Sequence, residues 1–191
     1  MTSSEIKRMQ TIVGAAPDGF WGPRSQAACR EHLRQLMPTP NPWPASDQAS
    51  LRKFYGAPGD ESQLVTIEFP YEIKYDGKLV TRTRVHRKCA ESLLRILNRI
   101  RTRMEAVPDI VDEATDYCGV FNFRYKRGGS TYSLHAYGAA IDLDADDNTF
   151  KNAWPINADM PLEIIEEFAR EGWISAAAFW GYDAMHFQAT R

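Results

Sequence analysis

Apolar and polar positions at the start of the chain recur with helical spacing in two short segments. The first opens with Thr2 and Glu5, a capping-box pair three residues apart, and Gly14 is its predicted end. The second follows the turn-type sequence PDGFWGP and begins at Pro23, a favourable first residue for a helix. The apolar stripes of the two predicted helices are formed by Ile6, Met9, Val13, Cys29, Leu33 and Leu36. The pattern therefore predicts a very small helical unit over residues 1–37.

The segment that follows is rich in proline. Four prolines lie between Pro38 and Pro44, and their fixed φ angles favour a stiff, extended linker. We therefore predict a domain boundary here, with a linker and lead-in over residues 38–62 and a second domain over residues 63–191.

The second domain mixes strand-like and helix-like patterns. Residues 64–85 are strand-like, and Asp76-Gly77 within them is a strong hairpin signal. The following helical pattern has a predicted buried stripe of Val85, Cys89, Leu93, Ile96 and Ile100, and we interpret its arginines as a solvated face. A strand ending at Gly128-Gly129, an amphipathic helix over residues 161–173 and a short C-terminal strand complete the pattern. These elements predict an α+β fold with a mostly antiparallel sheet and flanking helices.

Composition narrows the possible classes of protein. The 191 residues are 43% hydrophobic and 12% aromatic, which is enough to build a core and argues against a disordered chain. The net charge of −2 gives no basic surplus, so we expect no nucleic-acid partner. Cys29, Cys89 and Cys118 are far apart and form no C-x-x-C pair, so we expect three free thiols. No run of 18 apolar residues predicts a membrane span, and we expect a monomer.

The most informative stretch is SLHAYGAAIDLDADDN, residues 133–148. Asp142 lies within a short apolar strand, where a buried carboxylate is costly unless it is paired or bound to a metal ion. His135 precedes it by seven residues, and positions seven apart on a strand face opposite sides. The two side chains can meet only if the chain bends between them, and Tyr137-Gly138 is the predicted site of that bend.

A second histidine completes a possible metal site. His186 lies in the C-terminal sequence YDAMHF and can reach the same space from a neighbouring strand. Two imidazoles and one carboxylate form a three-ligand zinc set, and a fourth position left to water would make such a site catalytic. Asp183, three residues before His186, is the predicted base for the activated water.

Two alternatives remain open at this point. In the first, Asp142 caps a turn and each histidine is simply a half-buried residue with its polar atoms satisfied. In the second, Asp142, Asp144 and Asp146 match the first three acids of a calcium-binding EF-hand loop. That loop normally has Gly at its sixth position and Glu at its twelfth, where this chain has Asp147 and Ala153.

The motifs SLHAYGAAIDL and GYDAMHFQ resemble the S-x-H-x-x-G-x-A-x-D and D/E-x-x-H signatures of zinc peptidases that cut bacterial cell-wall peptides. That family includes vancomycin-resistance-type D-Ala-D-Ala carboxypeptidases and phage L-alanyl-D-glutamate endopeptidases, and VHRKCAESLLRILN and FNFRYKRGG resemble the phage branch. The resemblance covers about residues 64–188. It implies one zinc ion on His135, Asp142 and His186, with Asp183 as general base.

The same resemblance implies a role for an arginine upstream of the first ligand. Arg124 matches it, and a guanidinium there can hold substrate or stabilise an oxyanion. Arg127 is the rival for this role. Ser133 either orients a ligand, contacts substrate or serves as a plain turn hydroxyl, and we expect His86 to start a helix.

The N-terminal segment IKRMQTIVGAAPDGFWGPRSQAACREHL resembles the peptidoglycan-binding module of many wall hydrolases. Its D-G-x-x-G-P-type turn is matched by Asp18, Gly19, Trp21, Gly22 and Pro23, which makes the first four candidates for cell-wall binding. The alternative is a two-helix extension packed on the catalytic domain, with Trp21 in the core.

Together these observations predict a zinc-dependent endopeptidase acting on the peptide stems of peptidoglycan. A D-Ala-D-Ala carboxypeptidase and a non-catalytic, zinc-containing wall-binding module are the alternatives. Because MTSSEIKRMQ lacks the apolar region of a signal peptide, we expect synthesis in the cytoplasm and action at the bacterial wall after release or export.

Overall fold

The computed structural model describes all 191 residues. Seven α-helices span α1 (Ser3–Ile12), α2 (Pro23–Leu36), α3 (Gln48–Tyr55), α4 (Arg87–Ala106), α5 (Val111–Thr115), α6 (Leu162–Ala169) and α7 (Ala176–Trp180). Six strands span β1 (Leu64–Tyr75), β2 (Lys78–His86), β3 (Tyr117–Gly119), β4 (Ala140–Leu143), β5 (Ile174–Ser175) and β6 (His186–Gln188). No helix is long and apolar enough to cross a membrane.

The strands form two antiparallel sheets, so the α+β prediction is confirmed. Strands β1 and β2 form the predicted hairpin, and Asp76 and Gly77 turn it with positive φ angles of 49° and 70°. The second sheet has the order β3-β4-β6-β5. In its centre Asp142 of β4 lies directly opposite His186 of β6.

The strand predicted to run to Gly128-Gly129 is much shorter in the structure. Strand β3 ends at Gly119, and beyond it only an isolated bridge joins Tyr125 to Tyr132. The residues from 122 to 130 are exposed except for the half-buried Arg124. Phe123 and Tyr125 of this segment stack on the ring of Tyr132 instead of packing on a sheet, and the segment forms a loop beside the site.

Helix α4 buries four of the five predicted stripe residues, Cys89, Leu93, Ile96 and Ile100, whereas the fifth, Val85, is buried in β2. Three arginines of α4 form ion pairs, so the predicted solvated face is in part an ion-pair surface. Arg95, Arg99 and Arg103 form ion pairs with glutamates of α6 and of the turn that follows it, at N–O distances of 2.8–3.0 Å. The basic face of α4 is thus matched by acidic side chains of the same chain.

The two N-terminal helices pack against the C-terminal part of the chain. Trp21 is 4% exposed, and its ring lies edge-on to Trp154 with centroids 5.3 Å apart. In the proline-rich segment, Trp43 packs against Trp173 and donates a hydrogen bond from Nε1 to the carbonyl of Glu171. Helix α3 within residues 38–62 was not predicted. One continuous cluster of buried side chains therefore joins the three predicted segments of the chain.

We expect Trp21→Ala to lower the free energy of unfolding by about 3 kcal/mol, because it removes a buried aromatic side chain and leaves a cavity beside Trp154. Urea unfolding followed by circular dichroism measures the change, and Trp21→Phe should restore most of it. An unchanged unfolding midpoint in Trp21→Ala would contradict a core role.

Candidate metal centre and active site

A sharp bend brings His135 and Asp142 together. His135 lies in a 3-10 turn, Leu134–Tyr137, which ends at Gly138 in the left-handed region with φ 66°. A Cβ at Gly138 would lie 2.6 Å from a side-chain carbon of Leu64 and 3.0 Å from the backbone nitrogen of His86. Glycine is therefore required there for both conformation and space. The bend predicted at Tyr137-Gly138 is present in the structure.

Three donor atoms form a small triangle at the end of this bend. His135 Nε2 lies 3.1 Å from Asp142 Oδ1 and 3.1 Å from His186 Nδ1, and the third side, His186 Nδ1 to Asp142 Oδ1, is 2.9 Å. All three residues are at least nine-tenths buried. The cross-strand pairing of Asp142 with His186 and the turn carrying His135 produce this arrangement.

The outer nitrogen of each imidazole has an acceptor that fixes the tautomer. His135 Nδ1 donates to the carbonyl of Val120 at 2.7 Å, and His186 Nε2 donates to Oε1 of Gln188 at 3.2 Å. Each ring therefore directs the lone pair of its other nitrogen toward Asp142 Oδ1. Without a proton between them, three acceptors that face one point repel one another. A proton on Nδ1 of His186 relieves part of this repulsion toward Asp142, and a cation at that point would take its place.

The triangle fits a zinc ion in size and chemistry. Zinc binds imidazole nitrogen and carboxylate oxygen at about 2.0–2.2 Å, which in tetrahedral geometry separates the ligand atoms by about 3.3 Å. The separations of 2.9–3.1 Å in the structure are close to this value. These three residues could hold one ion and leave its fourth position open.

The charges in the triangle are strongly coupled. Burial alone would raise the pKa of Asp142, but the two adjacent imidazoles outweigh it and hold the pKa below its ordinary value. Burial opposes the charged form of His186, whereas its hydrogen bond and attraction to Asp142 raise its pKa. Asp142 is therefore the anionic member that a divalent cation would need.

Asp183 lies beside the triangle in an unusual backbone conformation. Its φ angle is 58°, in the left-handed region that aspartate adopts more readily than most residues. Its Oδ1 is buried and has no hydrogen-bond partner. Burial raises the pKa of this carboxyl, and the negative charge of Asp142 contributes in the same direction. An unpaired oxygen with raised proton affinity is suited to accept a proton.

Asp142, His186 and Asp183 all line one cavity of about 360 Å³, which also contains the predicted arginines. Arg124 is half-buried, whereas Arg127 is exposed and lies over the ring of Phe150 at 5.5 Å. Ser133 lines the same cavity, and its Oγ accepts a hydrogen bond from the backbone N–H of His135. The side chain of Ser133 thus caps the turn that carries the first histidine.

A second cavity of about 360 Å³ reaches the triangle from another side. Arg124 and Asp142 line both cavities, and His135 lines the second. Tyr75, Val80, Tyr117, Cys118 and Val120 are among the side chains that form its wall. Two cavities therefore border the donor triangle, and Arg124 is part of the wall of both.

The four candidate wall-binding residues lie far from this site in the sequence and have structural roles in their turn. Asp18 Oδ1 accepts hydrogen bonds from Gln10 Nε2 and the backbone N–H of Phe20, and the N–H of Gly19 donates to Gln10 Oε1. Gly22 is the N-cap of α2, and Trp21 is in the core. These contacts favour the interpretation of a packed two-helix extension for this turn.

The acids of the calcium alternative do not gather around one point. Asp142 belongs to the histidine triangle, whereas Asp144 groups with Glu113 and Asp159. Asn148 Nδ2 donates to both Asp144 Oδ2 and Asp159 Oδ1. Oε2 of Glu113 is buried without a partner. Burial raises the pKa of Glu113 to about 7.

We expect Glu113→Gln to stabilise the protein at pH 8, where the buried carboxyl is charged, and to have little effect at pH 5, where it is protonated. The expected gain at pH 8 is about 1 kcal/mol, because partial solvent exposure screens the charge. A carboxyl whose pKa is raised on folding binds its proton more tightly in the folded state. Stability from this group is therefore present below about pH 4.5 and is lost as pH rises through 7. Urea unfolding at both pH values measures the difference, and equal effects at pH 5 and pH 8 would contradict the assignment.

The sequence interpretation missed two groups of the site, the Val120 carbonyl and Gln188. Gln188 lies two residues after His186 on β6, so the period of two puts both side chains on one face. That spacing was a usable signal. The Val120 carbonyl is a backbone group in a loop, and side-chain patterns carry no information about it. His86 has its predicted place at the start of α4, where its Nδ1 accepts from the N–H of Lys88.

Searches of curated proteins and of solved structures gave no match. A protein-family profile described as D-alanyl-D-alanine carboxypeptidase matches residues 127–189. The matched segment contains His135, Asp142, Asp183 and His186, whereas Arg124 lies just before it. The part of the chain that carries the donor triangle is thus similar to a family of peptidases, the D-alanyl-D-alanine carboxypeptidases.

Proposed function

We propose that this protein is a zinc-dependent peptidase that hydrolyses the peptide stems of bacterial peptidoglycan, as an endolysin-like endopeptidase. The observation that carries the proposal is the triangle of His135 Nε2, Asp142 Oδ1 and His186 Nδ1, whose lone pairs converge beside the unpaired Oδ1 of Asp183. The similarity to a peptidase family over the same residues supports it.

Zinc, when bound, lowers the pKa of a coordinated water to about 7 and polarises a substrate carbonyl. Asp183 then accepts the proton of the attacking water at its carboxylate and later donates it to the leaving amine. The guanidinium of Arg124, which lines both cavities, donates hydrogen bonds to the developing oxyanion or to a substrate carboxylate.

The presence of two cavities beside the donor triangle supports an endopeptidase. An endopeptidase needs room for chain on both sides of the scissile bond, and the two cavities meet at Asp142 and Arg124. The family profile favours the second candidate, a D-Ala-D-Ala carboxypeptidase. A non-catalytic wall-binding module is a weaker alternative, because a metal site that catalyses no reaction does not need a general base such as Asp183.

Digestion of purified peptidoglycan by the zinc-loaded protein tests the proposal. Mass spectrometry of the fragments should reveal new termini within the stems, and their position identifies the bond. Loss of a single terminal alanine would indicate the carboxypeptidase. Binding to peptidoglycan without any new terminus would indicate the wall-binding module and would refute the peptidase.

We further propose that the protein acts as a monomer at the bacterial wall after release or export from the cytoplasm, where it is made. A wall-binding role for the α1–α2 turn is also a proposal, and the exposed ring of Phe20, at 71%, is the apolar group of that turn accessible to a glycan.

A further inference from the structure

The cavity that contains Asp183 has one aromatic wall. Phe150, Trp180 and Tyr182 line it, and they remain 37%, 42% and 43% exposed. Their rings contact one another, with centroids 5.7 Å apart for Phe150 and Tyr182 and 6.2 Å for Trp180 and Tyr182. Three adjoining aromatic side chains left open to solvent at the mouth of a site offer flat apolar surface to a ligand.

Three basic side chains, Arg124, Lys126 and Arg127, also line the cavity, together with the acids Asp142 and Asp183. Arg127 contacts the aromatic wall at Phe150. A ligand that fills this cavity should therefore combine carboxylates with a flat apolar face.

The chemistry of the proposed substrate limits what can occupy each wall. The peptide stems consist of alanine and of residues with carboxylate or amino groups, which suit the charged side chains but offer little to an aromatic surface. The amino sugar that bears each stem has a pyranose ring with an apolar C–H face. We propose that Trp180 and Tyr182 bind this sugar, so that the site takes a glycopeptide rather than a free peptide; the inference rests on the proposed function.

The position of Trp180 limits which bond can be reached. Its ring lies nearly parallel to the imidazole of His186, with a centroid distance of 5.7 Å and an angle of 24°. An extended peptide spans about 3.3–3.6 Å per residue. A sugar on Trp180 therefore brings the first bonds of the stem to the donor triangle, whereas the D-alanyl end lies about 15 Å from the sugar. The inference favours cleavage close to the glycan.

Tryptophan fluorescence provides a binding test that does not depend on catalysis. The chain has five tryptophans, and the other four, Trp21, Trp43, Trp154 and Trp173, are at most 6% exposed. N-acetylmuramyl-L-alanine, which lacks the peptide bonds of the stem, should shift the emission of the zinc-loaded protein to shorter wavelength. N-acetyl-L-alanine should not. Trp180→Phe should abolish the shift while calorimetry still detects binding, and Trp180→Ala should weaken binding about tenfold.

Kinetics provide the second test. For the wild type, kcat/KM should be at least tenfold higher on a muramyl tetrapeptide than on the free tetrapeptide. The ratio should fall toward one in Trp180→Ala and in Tyr182→Ala, the second of which does not contact a ligand imidazole. Leu79→Ala is the control, because this apolar side chain is 57% exposed and lines neither cavity, and its ratio should equal that of the wild type.

Failure of this inference is distinguishable from failure of the proposed function. Equal kcat/KM on both substrates in the wild type, or an unchanged ratio in both variants, would overturn the sugar site and leave the peptidase standing. If the wild type cleaves neither substrate, the proposed function fails. In that case the fluorescence test still decides whether the sugar site exists. If N-acetylmuramyl-L-alanine causes no shift, the sugar site is overturned.

Discussion

Asp183→Asn is expected to lower kcat on peptidoglycan peptides by about a hundred- to ten-thousand-fold, while bound zinc stays near one ion per chain. This range is the factor by which a positioned general base typically increases the rate. Asparagine is chosen over alanine because φ at this position is 58°, where asparagine is less strained. Initial rates on purified stem peptides and zinc analysis of the same sample measure both quantities.

Asp147→Asn is the matched control for this variant. Asp147 is exposed and lies on the loop after β4, so its replacement changes the net charge by the same amount without altering the cavity. We expect wild-type rates for it. Full activity in Asp183→Asn with zinc still bound would exclude Asp183 as the general base.

Zinc is expected to raise the melting temperature of the metal-free protein by about 10 °C when its concentration is about 1,000 times the Kd. Binding to the folded state alone adds about 4 kcal/mol under that condition, and each kcal/mol is worth about 2–4 °C for a chain of this size. The shift arises because the three donor residues converge only in the folded chain, so zinc binds the folded state and not the unfolded one. Scanning calorimetry with chelator and with zinc measures the shift.

Asp142→Asn should reduce this zinc-dependent shift to a small fraction, because it removes the anionic ligand and leaves the two imidazoles in place. Calcium at the same concentration should give no comparable shift in the wild type, since two of the three donors are nitrogen. An equal zinc shift in the wild type and in Asp142→Asn would show that zinc binds elsewhere.

The donor triangle could be predicted because its determinants are local or periodic. A carboxylate inside an apolar strand, a glycine where the chain must bend and a histidine in a second short strand are all readable in the sequence. Pairing of β4 with β6, which sets Asp142 opposite His186, was only an assumption until the structure was known. Register between strands more than forty residues apart depends on the packing of the whole sheet.

Other features of the fold could not be predicted from the sequence, because they also depend on distant parts of the chain or on weak local signals. The burial of Trp21 depends on Trp154, a partner 133 positions later, and an amphipathic pattern does not identify which surface covers it. The prediction of a strand after Gly119 was wrong, because an alternation of aromatic and basic residues is equally compatible with an exposed loop. Helix α3 has only eight residues, too short to give a clear periodic signal next to the prolines.

The packing of Trp21 and Trp43 has a consequence for how the protein would act on a polymer. A module joined to an enzyme by a flexible tether lets the catalytic part sample many positions around its anchor. Here both indoles are held in the same core as α6 and the turn after it. A contact between the polymer and the α1–α2 turn would therefore fix the distance and direction from that turn to the bond that is cut.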